Sequence, residues 1–88
     1  MSETPQVQTK LLEFLREGIF SPEIAVSAET DLVANGFDSM SLVSLLLFVE
    51  RNFGLWIPQH ELNETNLKTP HTLATLITRL LHERNRPS

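Results

Sequence analysis

Apolar residues recur in this chain with helical spacing in three separate segments, and nowhere alternate with period two for long enough to make a strand. The clearest segment is Leu73, Leu76, Ile77, Leu80 and Leu81, at i, i+3, i+4, i+7 and i+8. Such a stripe is stable only when buried against other helices, so the fold class is all-α. With 88 residues, the chain is expected to form one domain with a modest core and no deep catalytic cleft. The core spans about residues 5–83, with loose ends at 1–3 and 84–88, where polarity rises and periodicity stops.

Boundary signals place the elements. Thr4-Pro5 reads as an N-cap followed by proline at the first helical position, and Val7, Leu11, Phe14 or Leu15 and Ile19 follow at helical spacing. Gly18 stands near the natural stop, giving a first helix over 5–17. Residues 19–38 hold no sustained period and are broken by Pro22, by Ser27-Ala28-Glu29-Thr30-Asp31 and by Asn35-Gly36. Ile24, Val26, Leu32 and Phe37 are spaced along this stretch, which predicts a long ordered loop pinned to the core.

The segment from Asp38 to Phe53 predicts the second helix, with Asp38 or Ser39 as its cap and Gly54 at its C-terminal stop. Steps of 100° put Leu42, Leu45, Leu46, Val49 and Phe53 on a core face. The other side carries Met40, Ser44, Leu47 and Arg51, with Val43 and Phe48 at its edges. Two readings stay open for that side: a binding surface, or a helix buried on more of its faces. Residues 59–66 predict a short helical turn, and Thr69-Pro70 repeats the cap-and-proline signal ahead of a last helix over 70–83. Arg79 and Arg84 are expected to complement the dipole at its C-terminus. The architecture is three long helices plus one short one, with a long connection after the first.

Composition excludes several kinds of function. With no cysteine there are no disulfides, thiolate metal sites or cysteine nucleophiles. A net charge of −4 argues against broad nucleic-acid binding. The first fifty residues hold eight acids against Lys10 and Arg16 alone, a balance that suits either a basic partner surface or a solvated acidic face. No signal peptide is visible at the start and no apolar run is long enough for membrane insertion, so a cytoplasmic protein is the expectation.

Catalytic groups are missing where chemistry would need them. His60, His71 and His82 are spaced by eleven, which on a helix separates the last two by about 16 Å, too far for one metal ion or one proton relay. Glu13 with Glu17, and Glu61 with Glu64, have helical spacing but no apolar surroundings to raise a pKa. The glycines Gly18, Gly36 and Gly54 are too dispersed for a phosphate loop. The expectation is a protein that is not an enzyme, with no metal. Ser39 stands apart, at the junction of the loop and the second helix in Gly36-Phe37-Asp38-Ser39-Met40. There its hydroxyl either caps the helix or carries an anionic group, which the helix N-terminus favours and Asp38 opposes by repulsion.

That pentapeptide resembles the attachment motif Gly-x-Asp-Ser-Leu/Met of the acyl, peptidyl and aminoacyl carrier proteins. Asp31-Leu32 lies at the matching distance before it. Glu50-Arg51-Asn52-Phe53-Gly54-Leu55-Trp56-Ile57-Pro58 is similar to the family's Glu-x-x-Phe-Gly-x-x-Ile-Pro, and Thr69-Pro70 opens a similar last helix. The resemblance covers nearly the whole chain. It implies a small four-helix carrier-protein bundle in which Ser39 bears covalent 4′-phosphopantetheine from coenzyme A and Asp38 aids recognition by a phosphopantetheinyl transferase. Cargo would ride on the arm as a thioester, delivered from an activating ligase or acyltransferase to a downstream acceptor enzyme. Met40, Val43, Ser44, Leu47, Phe48, Arg51 and Trp56 would form the partner surface of a free-standing, monomeric carrier.

The departures are specific. Housekeeping fatty-acid carriers have a strongly acidic second helix, whereas residues 39–53 hold only Glu50, answered by Arg51. Trp56 occupies a turn position that is commonly polar. The pattern therefore implies a peptidyl, aminoacyl or D-alanyl type, or a specialised acyl carrier of a natural-product pathway. A fatty-acid-synthesis carrier and an unmodified helical adaptor binding through the second helix are the alternatives.

Overall fold

The structure, a computed structural model, describes residues 4–84, and every regular element among them is helical. Helix α1 runs Thr4–Phe14 and continues through a π-helical turn, Leu15–Ile19, two residues beyond the expected end. The Phe20 amide closes that turn by donating to the Leu15 carbonyl at 2.9 Å. Gly18 therefore lies inside the turn instead of capping the helix. Val7, Leu11, Leu15 and Phe20 are buried.

The long connection is ordered by two kinds of anchor. Phe20, Val26, Leu32 and Phe37 are buried, and Ile24 packs half-buried against them. Backbone bonds then tie it across the bundle. The Leu32 amide donates to the Lys68 carbonyl at 2.9 Å, and the His71 amide donates to Ala28 at 3.0 Å. From α1 the Arg16 guanidinium donates twice to the Val26 carbonyl, at 2.8 and 3.1 Å. A 3-10 turn, Val33–Asn35, ends at Gly36 with φ of 104°, a conformation that side chains rarely adopt.

Helix α2 spans Ser39–Phe53, with Leu45 and Val49 fully buried and Leu42, Leu46 and Phe53 packed half-buried around them. It stops at Gly54 in the left-handed region. Arg84 reaches over from the last helix and donates to the Phe53 and Gly54 carbonyls at 3.2 and 2.6 Å, satisfying acceptors that a helix end leaves free. Arg84 is thus an ordered part of the fold, not the start of a loose end. Residues 1–3 and 85–88 lie outside the described residues.

The expected short helix at 59–66 is a 3-10 turn, Gln59–Glu61, followed by a turn in which the Leu67 amide donates to Asn63 at 3.0 Å. Helix α3 spans Pro70–Arg84. Its start is a reciprocal cap: the Thr72 amide donates to Thr69 Oγ1 at 3.1 Å, and the Thr69 amide donates to Thr72 Oγ1 at 3.0 Å. Its buried face packs on α1, forming the centre of the core with Leu73, Leu76 and Ile77. Arg79 does not serve the helix dipole as expected. It clamps both Glu61 carboxylate oxygens at 2.9 and 3.0 Å and also reaches Glu83 at 3.3 Å.

Candidate functional site

The loop and α2 meet at Asp38, and the geometry decides which residue caps the helix. Asp38 has extended backbone, and its Oδ1 accepts the Ser41 amide at 2.9 Å and the Ser41 hydroxyl at 3.0 Å. These two bonds hold its carboxyl below the ordinary aspartate pKa, so it stays ionised at neutral pH. Asp38 is the cap, and Ser39 is left as the first helical residue. The Ser39 side chain is exposed, and its hydroxyl makes no hydrogen bond among the described residues. The presence of an acid beside this serine, which opposes an anion on grounds of charge, has a structural reason in the cap.

What aims the serine outward is the loop before it. Phe37 is buried, and its amide donates to the Leu32 carbonyl at 3.0 Å, closing the turn through Gly36. Asp31 in turn accepts the Ala34 amide at 3.1 Å. The chain therefore enters α2 with one side chain pinned in the core and the next two, Asp38 and Ser39, in solvent.

Beyond Ser39 the outward face of α2 is apolar. Met40 is 75% exposed, and Val43 and Leu47 are each 53% exposed. Ser44 and Arg51 are also exposed. Glu50 is the only acid on the helix. Trp56 is 60% exposed because its neighbours Leu55 and Ile57 turn inward and are buried. Six of the seven side chains expected on a partner surface are therefore in solvent. Phe48 is the exception: it is half-buried, stacked on Phe14 with ring centroids 4.4 Å apart, and meets Phe53 edge-on at 5.9 Å. A helical wheel shows only its own helix, so the ring from α1 that covers Phe48 was not visible in it. Conversely, Val33, which no sequence pattern marks as surface, is 65% exposed. It follows the buried Leu32 within a helical turn, and that turn faces it outward.

His60, His71 and His82 are all exposed. Among the described residues, no group of three His, Cys, Asp or Glu side chains converges to hold a metal ion. No helix among the described residues is long and apolar enough to cross a membrane.

The sequence matches the family described as phosphopantetheine attachment site over residues 6–77, a span from α1 to within α3 that includes the whole Ser39 region. The chain belongs to that family. It is a carrier, not a catalyst, and bears covalently attached 4′-phosphopantetheine. Among curated proteins, this carrier is similar to the anthracycline acyl carrier proteins DauA of Streptomyces sp. (strain C5) and DpsG of Streptomyces peucetius. Each is 28% identical over 75 residues, covering 82% of this chain and 87% of the relative. Among solved structures it resembles a chain in the crystal structure of Bradyrhizobium japonicum glycine:[carrier protein] ligase complexed with glycylated carrier protein. That match has a TM-score of 0.60 and 26% identity, over 84% of this chain and 96% of the other.

Proposed function

We propose that Ser39 is the attachment residue and that this chain is a free-standing carrier of an acyl or aminoacyl group in a specialised biosynthetic pathway. The observation that carries the reading is the Ser39 hydroxyl: exposed, in the first turn of α2, and relieved of capping by Asp38. When bound, the group supplies the thiol that this cysteine-free chain lacks, on which cargo rides as a thioester.

Each neighbouring residue has a defined task. Asp38 fixes the first turn, so that the hydroxyl projects away from the bundle toward a phosphopantetheinyl transferase. The positive end of α2 favours the phosphodiester formed there, by about 0.3–1 kcal/mol at an exposed site. Met40, Val43, Ser44, Leu47 and Arg51, with Trp56 beyond the helix end, receive the loading ligase or acyltransferase and then the acceptor enzyme. Phe48 contributes from beneath, by fixing α2 on α1. The apolar character of this face, with Glu50 its one acid, favours a specialised pathway over fatty-acid synthesis. Support for the cargo class comes from the two kinds of relative, acyl carriers of anthracycline pathways and a glycylated carrier held by its ligase.

Intact-mass measurement after incubation with coenzyme A, magnesium and a broad-specificity transferase tests the reading. Gain of one phosphopantetheine unit, absent in a folded Ser39→Ala variant, is the expected result. A unit still gained by that variant would move the attachment elsewhere. No gain in either protein would favour the unmodified adaptor.

A further inference from the structure

We infer that the groove between α1 and α2, on the flank of the carrier, is a docking slot for an arginine side chain of a partner protein. The groove has a volume of about 380 Å³, room for one long side chain. Its floor is aromatic. Phe14 and Phe48 stack with an interplanar angle of 16°, and both rings are only half-buried. The backbone of α1 packs closely on α3, whereas on this flank α1 meets α2 through side chains, among them the Phe14–Phe48 stack and Lys10 over Phe53, and the cleft lies beside the rings.

Gly18 keeps that floor uncovered. It sits in the π-helical turn without a positive φ, so backbone conformation does not require glycine there. A Cβ at this position would lie 3.8 Å from Phe14 Cε1, an ordinary contact, so packing does not require glycine either. A longer side chain would instead lie across the ring. The π turn is itself a feature that recurs at functional sites.

Charge selects the occupant. Glu13 and Glu17 line the groove from α1, and neither makes an ion pair or hydrogen bond among the described residues. Lys10, the basic residue of the lining, is engaged over the Phe53 ring at 5.9 Å from its centroid. Asn52 on the α2 side donates to the Phe48 carbonyl, leaving its amide oxygen as a further acceptor. Aromatic faces with free carboxylates beside them match a guanidinium, which stacks on rings and pairs with carboxylates in a plane. Two of the eight acids in the first fifty residues, Glu13 and Glu17, thereby find a use. Phe48 is one step of about 100° round α2 from Leu47. A protein seated on the apolar face could therefore place one side chain here, giving a second point of contact that fixes its orientation.

The test is an amide NMR titration of the full chain with N-acetyl-arginine amide, beside the lysine and the uncharged citrulline analogues. The expected result is localised shifts at Phe14, Gly18, Phe48 and Asn52 with arginine, several-fold smaller with lysine and absent with citrulline. Glu13→Gln with Glu17→Gln, which removes charge from an exposed helix face and leaves the fold intact by circular dichroism, should abolish the response. Gly18→Gln should block it with both acids in place. No localised shift, equal shifts with citrulline, or shifts spread over every acidic residue would overturn the slot. So would the same shifts on concentrating the protein alone, because the occupant would then be a second copy of this chain.

Discussion

At the residue scale, the junction before α2 rests on two positions that the sequence marks in different ways. Gly36 is legible as a turn residue, and the structure supplies the reason: φ of 104° with open space around the missing Cβ. Gly36→Ala should therefore destabilise through the backbone alone, by about 1–2 kcal/mol, read as a lower urea midpoint at unchanged slope. Asp38 is less legible, because a cap and an enzyme-recognition residue have the same identity in sequence. Only the bonds to Ser41 show that the carboxylate has a task in the free protein. An asparagine at an N-cap accepts the same amide bond without charge. Asp38→Asn should therefore stay close to wild type in thermal stability, while Asp38→Ala melts earlier. If both variants are equally poor transferase substrates, the charge serves recognition; if the asparagine variant is modified at the wild-type rate, the residue serves the helix.

At the element scale, what the sequence reveals depends on whether the deciding signal lies within one segment. Helix α3 was legible almost to the residue because its stripe, its threonine cap and Pro70 are all local. The end of α1 was not, since nothing in Leu15–Ile19 announces a π-helical turn; the pull comes from burying Phe20. Arg79 falls inside the expected 70–83 helix and Arg84 one residue beyond it, and their partners lie about twenty or thirty residues away, so neither role is visible in the local sequence. Within α3, Thr78 is buried and its hydroxyl has no hydrogen-bond partner among the described residues, which costs stability without supplying a contact. Thr78→Val should raise stability by about 1 kcal/mol, measured by urea unfolding, with no effect on modification at Ser39. Helix α2 gives the opposite pair. Leu47→Glu should leave the melting temperature nearly unchanged while weakening loading by the partner ligase, because Leu47 is 53% exposed. Leu45→Ala, at a fully buried position, should cost about 2–5 kcal/mol.

At the scale of the whole molecule, the three helices are tied at their connections by polar contacts, and several of these depend on ionised carboxylates. Glu61 is held below the ordinary glutamate range chiefly by its hydrogen bonds to Arg79, and so joins the 59–61 turn to α3. Asp38 is held down by Ser41 at the start of α2, and Glu23 by the Ser21 hydroxyl within the long loop. A carboxylate with a lower pKa folded than unfolded contributes stability that is complete above its unfolded pKa, near pH 4 for these groups. Below that the unfolded chain binds protons first, and the contribution disappears as pH falls through the folded value. The carrier should therefore hold a nearly constant urea midpoint from pH 7 to about 5 with respect to these groups and lose their contribution as pH falls below about 4. The double variant Asp38→Asn, Glu61→Gln should start lower at pH 7 and lose less on acidification, because it lacks two of the groups that drive the change. Parallel curves for the two proteins would show that the acid sensitivity arises elsewhere, for instance from general charge imbalance once all carboxylates are protonated. Moderate salt separates the two sites further. The Glu61–Arg79 pair, with the Arg79 side chain 44% exposed, is partly screened, while the neutral donors around Asp38 leave its cap bonds largely unaffected.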